Sequence, residues 1–208
     1  MHRTKNNFHS IGLFLFILLG VSQPSFSMDD QPLHEMREDI QDLRVLLSRL
    51  PSATLEEKLL ALKNHMLNNE QLKQELKVYI PHLAANSPSD PEPFDLYEAT
   101  DGKDNSFLVS DKKVLVIKGP SGAGKTTFTQ FLHFKLWKAW QPGQPVPLRI
   151  ALGPLENPLK NLMREGLGRL GFDETDILKL QQEHKLILLL DGYDETGLQK
   201  NLWLNNRL

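Results

Sequence analysis

The chain opens with an uninterrupted apolar run, Ile11–Val21 (IGLFLFILLGV), and only then settles into periodic patterns. Met36, Ile40, Leu43, Leu47 and Leu50 alternate steps of four and three, which is the single stripe of an amphipathic helix. Glu35, Arg37, Glu38, Asp39, Asp42 and Arg44 fill its other face, and Pro51-Ser52 ends it. Thr54 with Glu57 has the spacing of a capping box and opens a second helix with the stripe Leu55, Leu59, Leu62 and Met66. Asn68-Asn69 marks a turn. Leu72, Leu76, Tyr79 and Leu83 make a third stripe, cut short by Pro81. The spacing predicts a small α-helical region over 33–84 whose stripes pack within the molecule, because the heptads are too few for a coiled coil. Residues 86–95 (NSPSDPEPFD) carry three prolines among acids and read as linker; the whole connection is set at 85–106.

From 107 onward the pattern is of another kind. Val114-Leu115-Val116-Ile117 is a short apolar strand candidate, and Phe128, Phe131, Leu132, Leu136 and Trp140 then recur at helical spacing until Gln141-Pro142-Gly143. Trp137 and Trp140 read as packing residues. Val146 to Leu152 is a second strand candidate, Leu159 to Leu170 and Asp176 to Gln182 are helix candidates, and Leu186–Leu190 is apolar on both faces, as a central parallel strand is. Strands alternating with helices predict an α/β fold with a parallel sheet flanked by helices over 107–208.

Composition narrows the chemistry. At 40% hydrophobic and 24% charged the chain is globular in type. A formal net charge of -2 gives no overall field that draws nucleic acid or an anionic membrane, so no nucleic-acid partner is expected. There is no cysteine, which excludes disulfides, thiolate catalysis and Cys-based zinc sites. The histidines are scattered without metal-ligand spacing, and none is assigned a function.

The first residues have the order of a targeting segment: a basic start (His2, Arg3, Lys5), the apolar run, then small residues at Ser25 and Ser27. The run is shorter than the roughly 20 residues that cross a bilayer. The reading is a signal peptide or signal anchor over 1–27, with a buried helix of the mature domain as its alternative. Export sits uneasily with the glycine-rich loop farther along the chain, because a triphosphate-binding site has no ligand outside cells. The site of action is then cytosolic, in the cell of origin or a host.

Two segments carry chemistry. Gly119-Pro120-Ser121-Gly122-Ala123-Gly124-Lys125-Thr126 matches G-x-x-x-x-G-K-[ST] in full, between a strand and a helix candidate. Glycines let the backbone wrap closely, and the N–H groups of the loop and helix start then point at phosphate oxygens. Lys125 supplies a charge to the β- and γ-phosphates, the Thr126 hydroxyl coordinates Mg²⁺, and Thr127 contacts the α-phosphate. The second segment, Leu186–Glu195 (LILLLDGYDE), ends an apolar strand in acid at the carboxyl edge of the sheet. Asp191 is expected to hold Mg²⁺ through water. Glu195, supported by Asp194, is expected to orient or deprotonate the attacking water. The two segments are complementary halves of one Mg²⁺–triphosphate site.

GPSGAGKTTF followed by LLLLDGYDE resembles the NACHT group of the STAND NTPases, the switch ATPases of immune and defence proteins. The mark is Asp191-Gly192-Tyr193-Asp194-Glu195, with acids set beyond the first aspartate; Pro145–Leu152 also resembles the strand between that family's two motifs. The resemblance spans roughly residues 95–205. It implies a regulated switch in which ATP or ADP is bound and exchanged or hydrolysed, with the helical region in the usual effector position and a protein partner reached through it. It also implies a truncation after the acidic (Walker B) strand, since the family's next strand with its sensor arginine does not follow; nucleotide binding is expected to outlast efficient hydrolysis. Adenine preference rests on the resemblance alone. Competing readings are a P-loop nucleotide kinase, and an exported helical interaction protein whose NTPase half is a relic. An ABC subunit is excluded because Asp176–Lys185 (DILKLQQEHK) holds no LSGGQ-like stretch.

Overall fold

The sheet forms around the most apolar strand. Leu186–Asp191 (β6) is buried at every position, and its side chains alternate between two cores. Leu186, Leu188 and Leu190 enter one; Ile187 and Leu189 enter the other. Such two-sided burial requires helices on both faces, and the surrounding helices supply them. The computed structural model describes residues 13–21, 44–50, 52–86, 92–101, 106–120, 122–193, 202 and 206, with the backbone course alone for 13–21.

Three further strands join it: β1 is Leu13–Val21, β4 is Val114–Pro120 and β5 is Val146–Ala151. The four make one parallel sheet in the order β4-β1-β6-β5. The strands β4, β5 and β6 lie where the apolar runs predict them. The apolar run near the start is a strand, and not the helix considered as the alternative to a leader. It pairs with β4 from Leu15↔Val114 to Val21↔Pro120, and with β6 from Leu13↔Leu186 to Ile17↔Leu190. The strand carrying the glycine loop and the strand ending in Asp191 are therefore separated by one strand. β6 pairs in turn with β5, from Val146↔Leu186 to Ala151↔Asp191.

Helix Lys125–Ala139 follows the loop directly and buries Phe128, Thr129, Leu132, His133 and Trp137. Helix Pro158–Arg169 packs so close to β5 that a Cβ on Gly166 would lie 2.8 Å from Ile150 Cδ1. That helix kinks at Asn161. The kink frees the Leu162 N–H, which donates to Asn206 Oδ1 at 3.2 Å, while Asn206 Nδ2 donates to Pro158 O at 2.7 Å. One amide side chain thus stands in for the missing i to i−4 bond, as buried backbone groups require. Helix Glu174–Glu183 begins two residues before its predicted start, because Asp173 and Asp176 form a reciprocal cap.

Helix Leu55–Asn68 has the expected capping box: Glu57 N–H donates to Thr54 Oγ1 at 3.3 Å, and Thr54 N–H to Glu57 Oε2 at 2.7 Å. Its Leu55, Leu59 and Leu62 enter the same core as Trp137, Trp140 and Leu148, so its stripe packs on helix Lys125–Ala139 and on β5. Three buried leucines contribute roughly 5–9 kcal/mol gross. The buried Lys58–Asp176 pair at 2.5 Å contributes little net, because desolvation offsets its attraction. Apolar burial therefore holds this helix in place, and the ion pair fixes its register. The third helix is Glu70–Lys77 and stops four residues before Pro81. Leu83, placed on that helix by spacing, belongs instead to a two-residue strand (β2, Leu83–Ala84). Its partner is β3, Phe94–Asp95, inside the proline-rich connection. The helix expected from Met36 to Leu50 lies partly outside the described residues; 44–48 are helical.

Candidate nucleotide site

Gly119–Thr126 leaves β4 and enters the helix through two residues in the left-handed region, Gly122 and Gly124, both at φ 76°. Any other L residue is disfavoured there by about 1–2 kcal/mol. Ala123 N–H closes a turn on Pro120 O at 3.2 Å, and Phe128 N–H starts the helix on Gly124 O at 2.8 Å. Lys125 folds back across the strand end, its Nζ donating to Gly119 O and Pro120 O at 2.9 Å each. Thr127 lies on the exposed side of the first turn. Ser121 in the loop, and Asp194 and Glu195 beyond β6, lie outside the described residues.

Asp191 ends β6 with its carboxyl buried at 8% exposure and facing the loop helix. Thr126 Oγ1 donates to Asp191 Oδ1 at 3.2 Å. The two residues expected to share one Mg²⁺ from opposite halves of the site are thus in contact, 65 positions apart in sequence. A hydroxyl and a carboxylate are hard oxygen donors of the kind Mg²⁺ takes, with phosphate oxygens and water completing its shell. Among the described residues no group of three or more His, Asp or Glu gathers to hold a metal by itself. The site fits a metal brought in with a phosphate.

Three features of the site escape sequence reasoning. Arg149 on β5 reaches Asp191 Oδ2 with Nη2 at 2.6 Å. Thr129, one turn beyond Thr126, donates to Thr126 O at 2.8 Å and lies 3.4 Å from Arg149 Nε. His133, a further turn along, is buried; loss of water and the nearby Arg149 charge push it down to about 3, so it is neutral. The available signal is an arginine inside a strand whose other residues are all apolar, since a charge there needs a partner. His82 is a further residue that no motif marks. A Cβ on Gly124 would lie 2.1 Å from its Nε2, so the ring rests against the loop. Its Nδ1 is 3.1 Å from the Tyr79 hydroxyl, and Tyr79 stacks on Phe131 with ring centroids 3.8 Å apart.

A glycine loop leading from a parallel strand into a helix, with an acidic strand end against the loop's threonine, defines a P-loop NTPase. The family is then given by comparison with known proteins. The model of the NACHT domain matches residues 113–207, and this part of the chain is a NACHT domain, an NTPase of the STAND class. No curated protein and no solved structure matches the chain.

Proposed function

We propose that the protein is an ATP-binding regulatory switch in which Gly119–Thr127 hold the polyphosphate and Thr126 with Asp191 hold its Mg²⁺. Glu195, supported by Asp194, serves as the group that activates water for conversion of ATP and water to ADP and phosphate. Binding is the principal activity and hydrolysis is slow. The observation that carries the reading is the 3.2 Å contact between Thr126 Oγ1 and Asp191 Oδ1, which joins the two halves of the motif pair. The test is binding of a fluorescent ATP analogue with Mg²⁺ to the purified full chain and to Lys125→Ala. The expected result is saturable binding, weakened at least tenfold in the variant. Equal affinities would refute the reading.

A second reading, interaction with a protein partner through the helical region 33–84, is favoured by Val78, Ile80 and Leu83, which are 77%, 78% and 68% exposed. Absence of nucleotide binding in both proteins would leave this reading ahead. For localisation, the basic start and small-residue site support an exported or tethered form, while pairing of Leu13–Val21 with β4 and β6 supports a folded form that keeps the segment. We infer that the nucleotide-binding form is the one that keeps it, acting where triphosphate is present.

A further inference from the structure

The buried polar cluster behind the phosphate loop contains a cation that the motif pair does not account for. Arg149 and Asp191 lie on adjacent strands: Arg149 is level with Leu189 and Ala151 with Asp191, so both side chains project from the same sheet face. Arg149 Nη2 to Asp191 Oδ2 is 2.6 Å, with the side chains only 14% and 8% exposed. Among the described residues, the other hydroxyl within reach of Oδ2 is that of Thr129, at 3.5 Å. Its single proton is already committed to Thr126 O at 2.8 Å, and its oxygen faces Arg149 Nε at 3.4 Å. Arg149 is thus the donor that Oδ2 retains, and Oδ1 is left turned to Thr126. His133, one turn beyond Thr129 on the loop helix, is neutral and brings no charge of its own.

We propose that Arg149 is a positioning residue that supplies the counter-charge of Asp191 when no metal is bound, so that the loop accepts the phosphates of a nucleoside diphosphate without Mg²⁺. The inference rests on the nucleotide reading above. A buried carboxylate with no partner strongly repels an incoming anion, and either a metal or an arginine can relieve that. Arg149 does so through Oδ2, so it screens the carboxylate without occupying the corner that Thr126 and Oδ1 present to a metal. The metal therefore adds little to diphosphate affinity in this protein, and its contribution grows when Arg149 loses its charge.

The test is the dissociation constant of a fluorescent ADP analogue in excess EDTA and in excess Mg²⁺, taken as a ratio, for the full chain, Arg149→Met, Arg149→Lys and Arg149→Met with Asp191→Asn. The wild-type ratio is expected within about tenfold of one. Arg149→Met should raise it at least tenfold further, mainly by weakening binding in EDTA. Arg149→Lys should stay near wild type, and the double variant should fall back to the wild-type ratio or below. A merely structural arginine would weaken binding in both media alike and leave the ratio unmoved; that result overturns the proposal. So does an Arg149→Lys ratio that matches Arg149→Met. If Arg149→Met does not fold, Arg149→Gln, which removes the charge and keeps a polar side chain, takes its place: a ratio raised at least tenfold supports the proposal, and an unmoved ratio overturns it. Binding of ADP to wild type in neither medium would instead refute the nucleotide reading itself, and this inference with it.

Discussion

His133 makes the fold sensitive to mild acid, with a size that can be worked out. Trp137 Nε1 donates to His133 Nε2 at 2.9 Å, and an indole N–H only donates. Nε2 is therefore the unprotonated nitrogen, an assignment made from the hydrogen-bond network. Protonating it would break the Trp137 bond, place a charge in a dry site and set that charge beside Arg149. Burial first, then the Arg149 charge, push the group from 6.5 down to about 3. Because the folded state holds this base neutral, its effect on stability is absent above pH 6.5, where neither state binds the proton. Below 6.5 the unfolded chain takes up a proton that the folded protein refuses, so stability falls until about pH 3. At pH 5 the interval below 6.5 is 1.5 units, which at 1.36 kcal/mol per unit is about 2 kcal/mol. A loss of that size is a sizeable part of the roughly 5–15 kcal/mol of a typical domain. Urea unfolding of wild type and His133→Gln at pH 7.5 and pH 5.0 measures it. Glutamine can still accept from Trp137 but does not titrate, so titrations elsewhere cancel in the comparison. Wild type should lose about 2 kcal/mol more than the variant between the two pH values. Equal losses would show that the imidazole is protonated in the folded state, and the account of its burial would fail.

The loop and the sheet give two more expected outcomes. Gly124→Ala should weaken nucleotide binding more than tenfold, because the new Cβ would lie 2.1 Å from His82 Nε2 at a backbone angle of φ 76°; adding His82→Ala should recover part of the loss, and wild-type affinity in the single variant would refute the close approach. Deleting residues 2–27 should abolish nucleotide binding and broaden thermal unfolding, because β4 and β6 lose the strand between them; unchanged binding by the shortened chain would show that β1 is dispensable.

How much of the fold and site is legible in the sequence depends on how local each signal is. The loop Gly119–Thr126 and the strand end at Asp191 are readable because their chemistry fixes residue types at fixed spacing. The Thr54 cap and the stripe Leu55, Leu59, Leu62 are readable because capping and helical periodicity are short-range. Leu83 is misplaced because a spacing of four from Tyr79 looks helical, although Pro81 already forbids the helix; its pairing with Asp95 is set by a partner 12 residues on. Arg149 reads only as part of a strand, since its role depends on Asp191, 42 positions later, being level with the next residue but one along β5. His82 touches Gly124 through a turn that no periodicity encodes. The run Ile11–Val21 is ambiguous for a physical reason: a leader, a buried helix and a central strand all call for the same continuous apolar surface.

That ambiguity bears directly on function. β4 delivers the phosphate loop and β6 delivers Asp191, yet these strands meet through β1, with Gly20 level with Gly119 and Ile17 level with Leu190. Adjacent strands lie about 4.8 Å apart, so β4 and β6 are separated by roughly twice that while β1 lies between them. Removing β1 to a membrane or by cleavage leaves two choices. The gap stays open with unpaired backbone in the centre of the sheet, or it closes and shifts Asp191 by about one strand spacing relative to Thr126. A functional constellation tolerates displacements of only about 0.5 Å, so closure would destroy the 3.2 Å contact between Thr126 Oγ1 and Asp191 Oδ1. A molecule that keeps residues 13–21 in the sheet therefore keeps the two halves of the nucleotide site aligned.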